Sequence, residues 1–184
     1  MTLLAIVSAI WVLSELGVLI IKRSSGAASE RRDRGSLFVI WSSITIACFA
    51  GSALARQPVG RIGVPAVFWT GLALIVAGVV VRWTAILTLR RFFTVSVTIR
   101  EGHQLIRSGI YSVVRHPAYT GSILSFAGLG LAFGNWFSFA AVAIATFLGF
   151  AYRIRVEERA LTEHFGDAYS DYAATTKGLI PGVY

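Results

Sequence analysis

A run of polar and aromatic residues, Arg115-His116-Pro117-Ala118-Tyr119, directly precedes an apolar stretch and could bind a charged ligand. A helix that begins at this run exposes free backbone N–H groups and a partial positive charge at its N-terminus. Such an end can bind a carboxylate or a phosphate. In the alternative interpretation, Arg115 and His116 are headgroup anchors and Tyr119 belongs to an aromatic belt at the membrane surface.

A second polar cluster consists of Arg153, Glu157 and Glu158. Arg153 and Glu157 are four residues apart, which places them on one face of a helix. The planar guanidinium of Arg153 suits a carboxylate, and Glu157 could accept hydrogen bonds from ribose hydroxyls or an amino group. The alternative is an exposed ion pair within one helix, which is worth only about 0.3–0.5 kcal/mol.

The composition of the chain indicates that these clusters belong to a membrane protein. Hydrophobic residues make up 55% of the 184 residues and charged residues 14%, well below the roughly 25% of ordinary soluble domains. This balance excludes a disordered chain, a disulfide-rich secreted scaffold and an ordinary soluble globule. Cys48 is the only cysteine and the three histidines are far apart, so we expect neither a disulfide nor a metal site.

Five apolar stretches predict an all-α integral membrane protein with a single membrane domain over 1–184. Three stretches lie in residues 1–89 and two form a helical hairpin over 119–152; their bounds are 3–21, 37–55, 66–89, 119–133 and 136–152. We expect five membrane helices, or four if the short hairpin does not cross completely. The first stretch lacks the flanks of a signal peptide, so we expect it to be retained.

The basic residues predict the orientation. With the N-terminus outside, 14 of the 17 Lys and Arg residues fall inside, Arg56 and Arg61 fall outside, and Arg82 lies within the third stretch. This asymmetry follows the positive-inside rule and places the C-terminus in the cytoplasm. The net charge of +8 therefore reflects topology and anionic headgroups, and we expect no nucleic-acid partner.

Two long cytoplasmic segments, 90–118 and 153–184, follow from this topology. Residues 94–99 alternate apolar and polar side chains, which predicts a short strand that pairs with 104–106. The second segment is expected to continue the fifth helix out of the membrane. It carries an amphipathic stripe formed by Leu161, Phe165, Tyr169 and Tyr172.

The hairpin connection places 116–119 and 153–157 side by side at one membrane surface, which favours a functional site over two unrelated surface features. Glu15 and Arg82 lie inside apolar stretches, and ionisable residues in such places are functional candidates by default. Both lie nearer the cytoplasmic ends of their helices, so we favour the simpler interpretation that they snorkel or pair with each other.

Small residues in the fourth stretch resemble a nucleotide-binding loop only superficially. Gly128, Gly130 and Gly134 lie in apolar sequence without the preceding strand that the fingerprint requires. The stretch instead predicts close helix packing through its small residues Gly121, Ser125, Gly128 and Gly130.

The order of several motifs over roughly residues 90–181 resembles the isoprenylcysteine carboxyl methyltransferases, within the wider membrane methyltransferase superfamily. The matching elements are His103-Gln104-Leu105-Ile106, Ser108-Gly109-Ile110-Tyr111, Arg115-His116-Pro117-Ala118-Tyr119, Gly121, Arg153-x-x-x-Glu157-Glu158, Phe165-Gly166, Tyr169, Tyr172 and Pro181. The short N-terminal half is similar to that of compact prokaryotic members, which implies the prokaryotic inner membrane.

The resemblance implies that residues 90–184 form a cofactor-binding catalytic half with a cytoplasmic pocket for S-adenosyl-L-methionine, which leaves as S-adenosyl-L-homocysteine. The cofactor contacts that it implies are His103, Gln104, Leu105, Ile106, Tyr111, His116, Pro117, Ala118, Tyr119 and Glu157. Arg153 would bind the carboxylate of a prenylated cysteine or similar lipophilic acid that enters from the bilayer. Ser96 stands where eukaryotic members tend to have a glutamine that contacts the cofactor, so it is not included.

Three other functions stay open at this point. A phospholipid amine could be the methyl acceptor, and Glu158 or His116 would then have to act as general base. The Arg-His-Pro-x-Tyr element also occurs in membrane sterol reductases, which allows an NADPH-dependent reductase. The third alternative is a helix bundle without enzymatic activity.

Overall fold

A computed structural model of the protein describes residues 2–21, 27–96, 102 and 104–180, and these residues contain six α-helices. They are α1 (Thr2–Ile21), α2 (Ala27–Ala55), α3 (Pro65–Leu89), α4 (Pro117–Ala132), α5 (Trp136–Phe165) and α6 (Asp167–Thr175). Short 3-10 turns lie at Arg90–Phe92 and Gly109–Ser112. The predicted all-α membrane architecture is confirmed.

Four helices are long and apolar enough to cross a membrane, namely Thr2–Ile20, Gly35–Ala55, Pro65–Phe92 and Trp136–Phe165. Helix α4 has 16 residues, or about 24 Å, which is shorter than the roughly 30 Å hydrocarbon core. Whether the α4–α5 hairpin crosses completely therefore stays a prediction. Helix α5 has 30 residues and continues beyond the apolar stretch, as predicted.

The predicted strand at 94–99 is wrong for the part that the structure describes. Residues 94–96 and 104–106 have irregular backbone, and the remaining residues of the strand lie outside the described ranges. The Val95 carbonyl accepts a hydrogen bond from Arg153, and the Thr94 hydroxyl donates to the Ser96 carbonyl. These side-chain contacts use the carbonyls of Val95 and Ser96, which a strand pair could otherwise use for backbone hydrogen bonds.

Helices α3 and α4 pack closely because glycines face each other across their interface. A Cβ on Gly78 would collide with the Gly121 carbonyl oxygen, and one on Gly128 would collide with the Gly71 carbonyl oxygen. The Ser125 hydroxyl crosses the same interface and donates to the Ile75 carbonyl at 3.2 Å. Small residues in α4 therefore permit backbone contact, as the sequence predicts.

Asn135 fixes the hairpin turn at the end of the bundle away from the polar clusters. Its fully buried side chain caps α5 by accepting from the backbone N–H groups of Phe137 and Ser138, and it donates to the Val59 carbonyl at 2.8 Å. The turn thus binds the connection after α2. This sets α4 and α5 antiparallel, so that the start of α4 meets the second half of α5.

The chain after α6 folds back over the start of α4. Backbone N–H groups of Arg115 and His116 donate to the carbonyls of Lys177 and Gly178 at 2.8 and 3.0 Å. The Thr120 hydroxyl donates to the Leu179 carbonyl at 2.8 Å. This tail covers the N-terminus of α4 at the polar end of the bundle.

Candidate functional site

A cavity of about 790 Å³ joins the polar end of the bundle to its apolar interior. Polar and aromatic side chains line one end: Gln104, Tyr111, His116, Tyr119, Arg153, Glu157, Tyr169 and Tyr172. Apolar side chains line the other end, between the membrane helices: Leu4, Trp11, Ile44, Cys48, Phe126, Leu129 and Phe133. One space can therefore hold a polar ligand and an apolar chain at the same time.

The structure brings most of the predicted cofactor-binding residues to this cavity. Those that line it are Gln104, Leu105, Ile106, Tyr111, His116, Ala118, Tyr119 and Glu157. Pro117 is buried at the first position of α4 and does not line the cavity. His103 lies outside the described residues. Their contact with a cofactor stays a prediction.

Arg153 is buried in the cavity wall, with 2% of its surface exposed. Its Nε donates to the Tyr119 hydroxyl at 3.3 Å, its Nη2 donates to the Val95 carbonyl at 2.6 Å, and its Nη1 donates to the Ser36 hydroxyl. The guanidinium thus joins α2, α4, α5 and the segment after α3. The alternative of an exposed ion pair on one helix is wrong, because Arg153 is not on the surface.

Glu157 presents an unsatisfied acceptor at the polar end of the cavity. Its Oε2 is buried and has no hydrogen-bond partner among the described residues. Leaving a buried acceptor unpaired costs about 1–3 kcal/mol, so the atom is suited to a ligand that brings an N–H or O–H donor. An amino group or a ribose hydroxyl has this chemistry, which fits the predicted cofactor.

Tyr111 forms another part of the same wall. Burial, and after it the Glu157 carboxylate, raises the pKa of the Tyr111 phenol above its usual range. The phenol therefore stays protonated near neutral pH and donates to the Ala85 carbonyl at 3.5 Å. The Tyr172 hydroxyl donates to the Tyr111 carbonyl, so α6 holds this turn in place.

Glu158 lies beside the cavity and fixes the start of α4. Its Oε1 accepts from Arg115 Nη2 at 2.7 Å and from the Tyr169 hydroxyl at 3.3 Å, and it lies 3.1 Å from His116 Nε2. Arg115 also donates to the carbonyls of Ala173 and Thr176. The sequence suggests Glu158 as a candidate base, whereas in the structure its carboxylate positions Arg115, His116 and Tyr169.

Glu15 and Arg82 form an ion pair inside the bundle, so the predicted pairing is confirmed. Arg82 Nε lies 2.5 Å from Glu15 Oε1, and Arg82 Nη2 lies 2.7 Å from Glu15 Oε2. Arg82 Nη1 also donates to the Ser122 hydroxyl at 3.0 Å and to the Ala118 carbonyl at 3.3 Å. Both charged side chains line the cavity.

The sequence did not indicate every residue that builds the site. Ser36 and the Val95 carbonyl hold Arg153, but neither belongs to a motif. The amphipathic stripe and the family resemblance both single out Tyr169 and Tyr172 without giving either a role, and the structure places both at the polar end of the cavity. Their spacing of three residues on a helix predicts that they share a face, but it does not predict that this face meets the cavity.

Residues 66–168, more than half of the chain, match the family model described as PEMT, phospholipid methyltransferase. Protein-S-isoprenylcysteine O-methyltransferase B of Arabidopsis thaliana is 37% identical over 115 residues, which cover 61% of this chain and 58% of that protein. Protein-S-isoprenylcysteine O-methyltransferase of Dictyostelium discoideum is 33% identical over 119 residues, covering 64% and 50%. The resemblance to isoprenylcysteine carboxyl methyltransferases is confirmed. The matched region covers less than two thirds of this chain and less than two thirds of each of these relatives.

A solved structure of the eukaryotic intramembrane Ras methyltransferase ICMT (isoprenylcysteine carboxyl methyltransferase) has a similar fold. It superposes on 96% of this chain and 64% of its own chain, with a TM-score of 0.66 and 25% sequence identity. The similarity therefore includes the helices α1 and α2, which lie outside the residues that match the family model.

Proposed function

The chain belongs to the phospholipid methyltransferase family, and we propose that it transfers a methyl group from S-adenosyl-L-methionine to the carboxylate of a prenylated cysteine or a similar lipophilic acid. The observation that carries this proposal is the single cavity with Arg153 and Glu157 at its polar end and an apolar end between the membrane helices. The names of the relatives support the same acceptor. In this proposal the polar end faces the cytosol, where the donor is dissolved.

Residues at the polar end would hold the cofactor, which supplies an activated methyl group. Glu157 Oε2 would accept a hydrogen bond from its amino group or a ribose hydroxyl, which satisfies the buried acceptor. Gln104, His116 and Tyr119 line the same part of the cavity. The neutral Tyr111 phenol adds no charge next to Glu157.

Arg153 would anchor the acceptor carboxylate. Its hydrogen bonds to the Ser36 hydroxyl and the Val95 carbonyl are to neutral groups. A carboxylate forms stronger, charge-assisted hydrogen bonds with a guanidinium, so it can replace them. A carboxylate is also already ionised and needs no base. Catalysis then depends on alignment, which contributes about 7–11 kcal/mol in well-oriented reactions.

The neighbourhood of Glu158 and His116 argues against an amine acceptor. An ammonium group must lose a proton before it attacks, so one of these residues would have to act as base. Glu158 is instead paired with Arg115 and lies against Nε2 of the buried His116, so it holds the start of α4. A carboxylate that is paired with an arginine is a weak base, so Glu158 is poorly suited to deprotonate an ammonium group. This favours methyl transfer to an oxygen of a carboxylate acceptor.

A labelled-methyl assay on the purified protein tests the proposal. The acceptors are N-acetyl-S-farnesylcysteine, its carboxamide and phosphatidylethanolamine, each offered separately in detergent with labelled S-adenosyl-L-methionine. We expect label in the first acceptor alone. Label in phosphatidylethanolamine but not in the farnesylcysteine acid would contradict the proposal.

A further inference from the structure

Besides the apolar packing of Leu4 and Val7 against the core, an ion pair and a ring contact attach α1 to other helices at the wall of the cavity. Glu15 forms the two-point ion pair with Arg82 of α3, and the Trp11 ring lies edge-on to the Phe126 ring of α4, with 4.8 Å between ring centroids. Within the described ranges, no other α1 side chain forms a hydrogen bond or ion pair with another helix. The outer face of α1 is exposed, as at Leu13.

The ion pair is a costly way to join two membrane helices. Charged side chains within a membrane are unfavourable, and replacing a buried ion pair by apolar residues is often neutral or stabilising. The pair therefore points to a requirement for geometry. Arg82 extends this geometry to α4, because it also contacts the Ser122 hydroxyl and the backbone carbonyl of Ala118, a predicted cofactor residue.

The face of α1 that the pair holds forms one wall of the cavity. Ser8, Trp11 and Glu15 lie three and four residues apart, on one helix face, and all three line the cavity. Ser8 Oγ and Trp11 Nε1 are buried without hydrogen-bond partners among the described residues. A wall that faces space for a ligand accounts for such atoms better than a tightly packed helix interface.

We propose that the Glu15–Arg82 ion pair is a positioning pair that holds α1 as the wall along which the apolar tail of the acceptor lies. This inference rests on the proposed function. Helix α4 lines the same cavity, and its residues from Tyr119 to Leu129 extend about 15 Å along the helix axis. Loosening α1 would widen the apolar end of the cavity and leave the cofactor end in place.

Cys48 provides a reporter that does not depend on catalysis. It is the only cysteine of the chain, it lines the apolar end of the cavity, and it packs against the core cluster that contains Trp11. The experiment measures the rate at which a membrane-permeant maleimide modifies Cys48 in wild type, Glu15→Gln and Ser14→Ala. Ser14 is the matched control on α1, since the bond that its hydroxyl forms within the described part of the chain stays in its own helix, at the Trp11 carbonyl.

We expect Glu15→Gln to raise the modification rate of Cys48 by about fivefold or more. This change corresponds to a coupling free energy of about 1 kcal/mol between the ion pair and the position of α1. Ser14→Ala should stay close to wild type. Arg82→Lys keeps the charge but loses the two-point contact, so it should give an intermediate modification rate. It serves as the second variant if Glu15→Gln does not fold. Equal rates in the folded pair variants and Ser14→Ala would overturn the inference.

Methyl transfer to geranyl, farnesyl and geranylgeranyl cysteine acids gives a second readout. In Glu15→Gln, the ratio of kcat/KM between the best and the worst prenyl acceptor should fall by about fivefold, because KM changes. The Kd for S-adenosyl-L-homocysteine should stay near the wild-type value. A parallel loss of cofactor affinity would indicate a general structural role and contradict the inference. If wild type methylates none of these acids, the proposed function fails, whereas the Cys48 rates still decide the role of the ion pair.

Discussion

Arg153 Nε donates a hydrogen bond to the Tyr119 hydroxyl at 3.3 Å, which joins two clusters that are 34 residues apart in the chain. Tyr119 belongs to the first turn of α4 and Arg153 to the second half of α5. The contact places the proposed carboxylate anchor directly beside the proposed cofactor segment. A methyl donor and an acceptor acid can therefore meet in one cavity.

Replacing Arg153 by lysine should impair methyl transfer. Lysine keeps the charge but lacks the planar fork, so it cannot bind a carboxylate while it contacts Tyr119 and Val95. Loss of one or two charge-assisted hydrogen bonds, worth about 1.5–3 kcal/mol each, predicts a fall in kcat/KM of about 10–100-fold or more. Arg155→Lys is the matched control, since Arg155 is exposed on the same helix. Near-wild-type turnover of Arg153→Lys would remove Arg153 from the mechanism.

Replacing Glu157 by glutamine should weaken cofactor binding. The amide keeps the size of the side chain but loses the charge that strengthens its hydrogen bonds. We expect the Kd for S-adenosyl-L-homocysteine to rise by about tenfold, which corresponds to about 1.4 kcal/mol, in a calorimetric titration. Glu163→Gln, at an exposed position of the same helix, should bind like wild type. Equal affinities for the two variants would place Glu157 outside the cofactor site.

Replacing Glu158 by glutamine should loosen the tail that covers α4. The variant loses the carboxylate charge that holds Arg115. The Arg115 guanidinium also donates to the carbonyls of Ala173 and Thr176, so it connects Glu158 to the tail. We expect faster hydrogen exchange at the His116 amide, which donates to the Gly178 carbonyl, and a destabilisation of about 1–2 kcal/mol. Unchanged exchange at this amide would show that Glu158 does not hold the tail.

Replacing Gly78 by alanine should separate α3 from α4. The added methyl group would meet the backbone of Gly121 and Ser125, which cannot move aside as a flexible side chain can. We expect a lower thermal unfolding temperature, because overpacking costs about 1–3 kcal/mol. Gly17→Ala on α1 is the control, since the space around its Cβ is open. A Gly78→Ala protein as stable as Gly17→Ala would contradict the close packing.

Much of this arrangement follows from sequence, because hairpin topology alone predicts that Tyr119 and Arg153 meet. The pairing of Glu15 with Arg82 was also predictable from the cost of isolated charges in a membrane. The contact between Arg153 and Ser36 was not, because neither periodicity nor motif spacing relates residues 117 positions apart. The strand predicted at 94–99 is wrong over the described residues 94–96 for a related reason: its alternation is local, whereas the contact of Val95 with Arg153 is long-range.

The position of the transferred methyl group is the most direct test of the central claim. Purified protein is incubated with N-acetyl-S-farnesylcysteine and S-adenosyl-L-methionine that carries a labelled methyl group, and the extracted lipophilic product is treated with alkali. We predict that alkali releases the label as volatile methanol, because a methyl ester hydrolyses. Label that remains bound to the lipophilic product after alkali, or that enters only the amines of membrane phospholipids, would contradict transfer to a carboxylate.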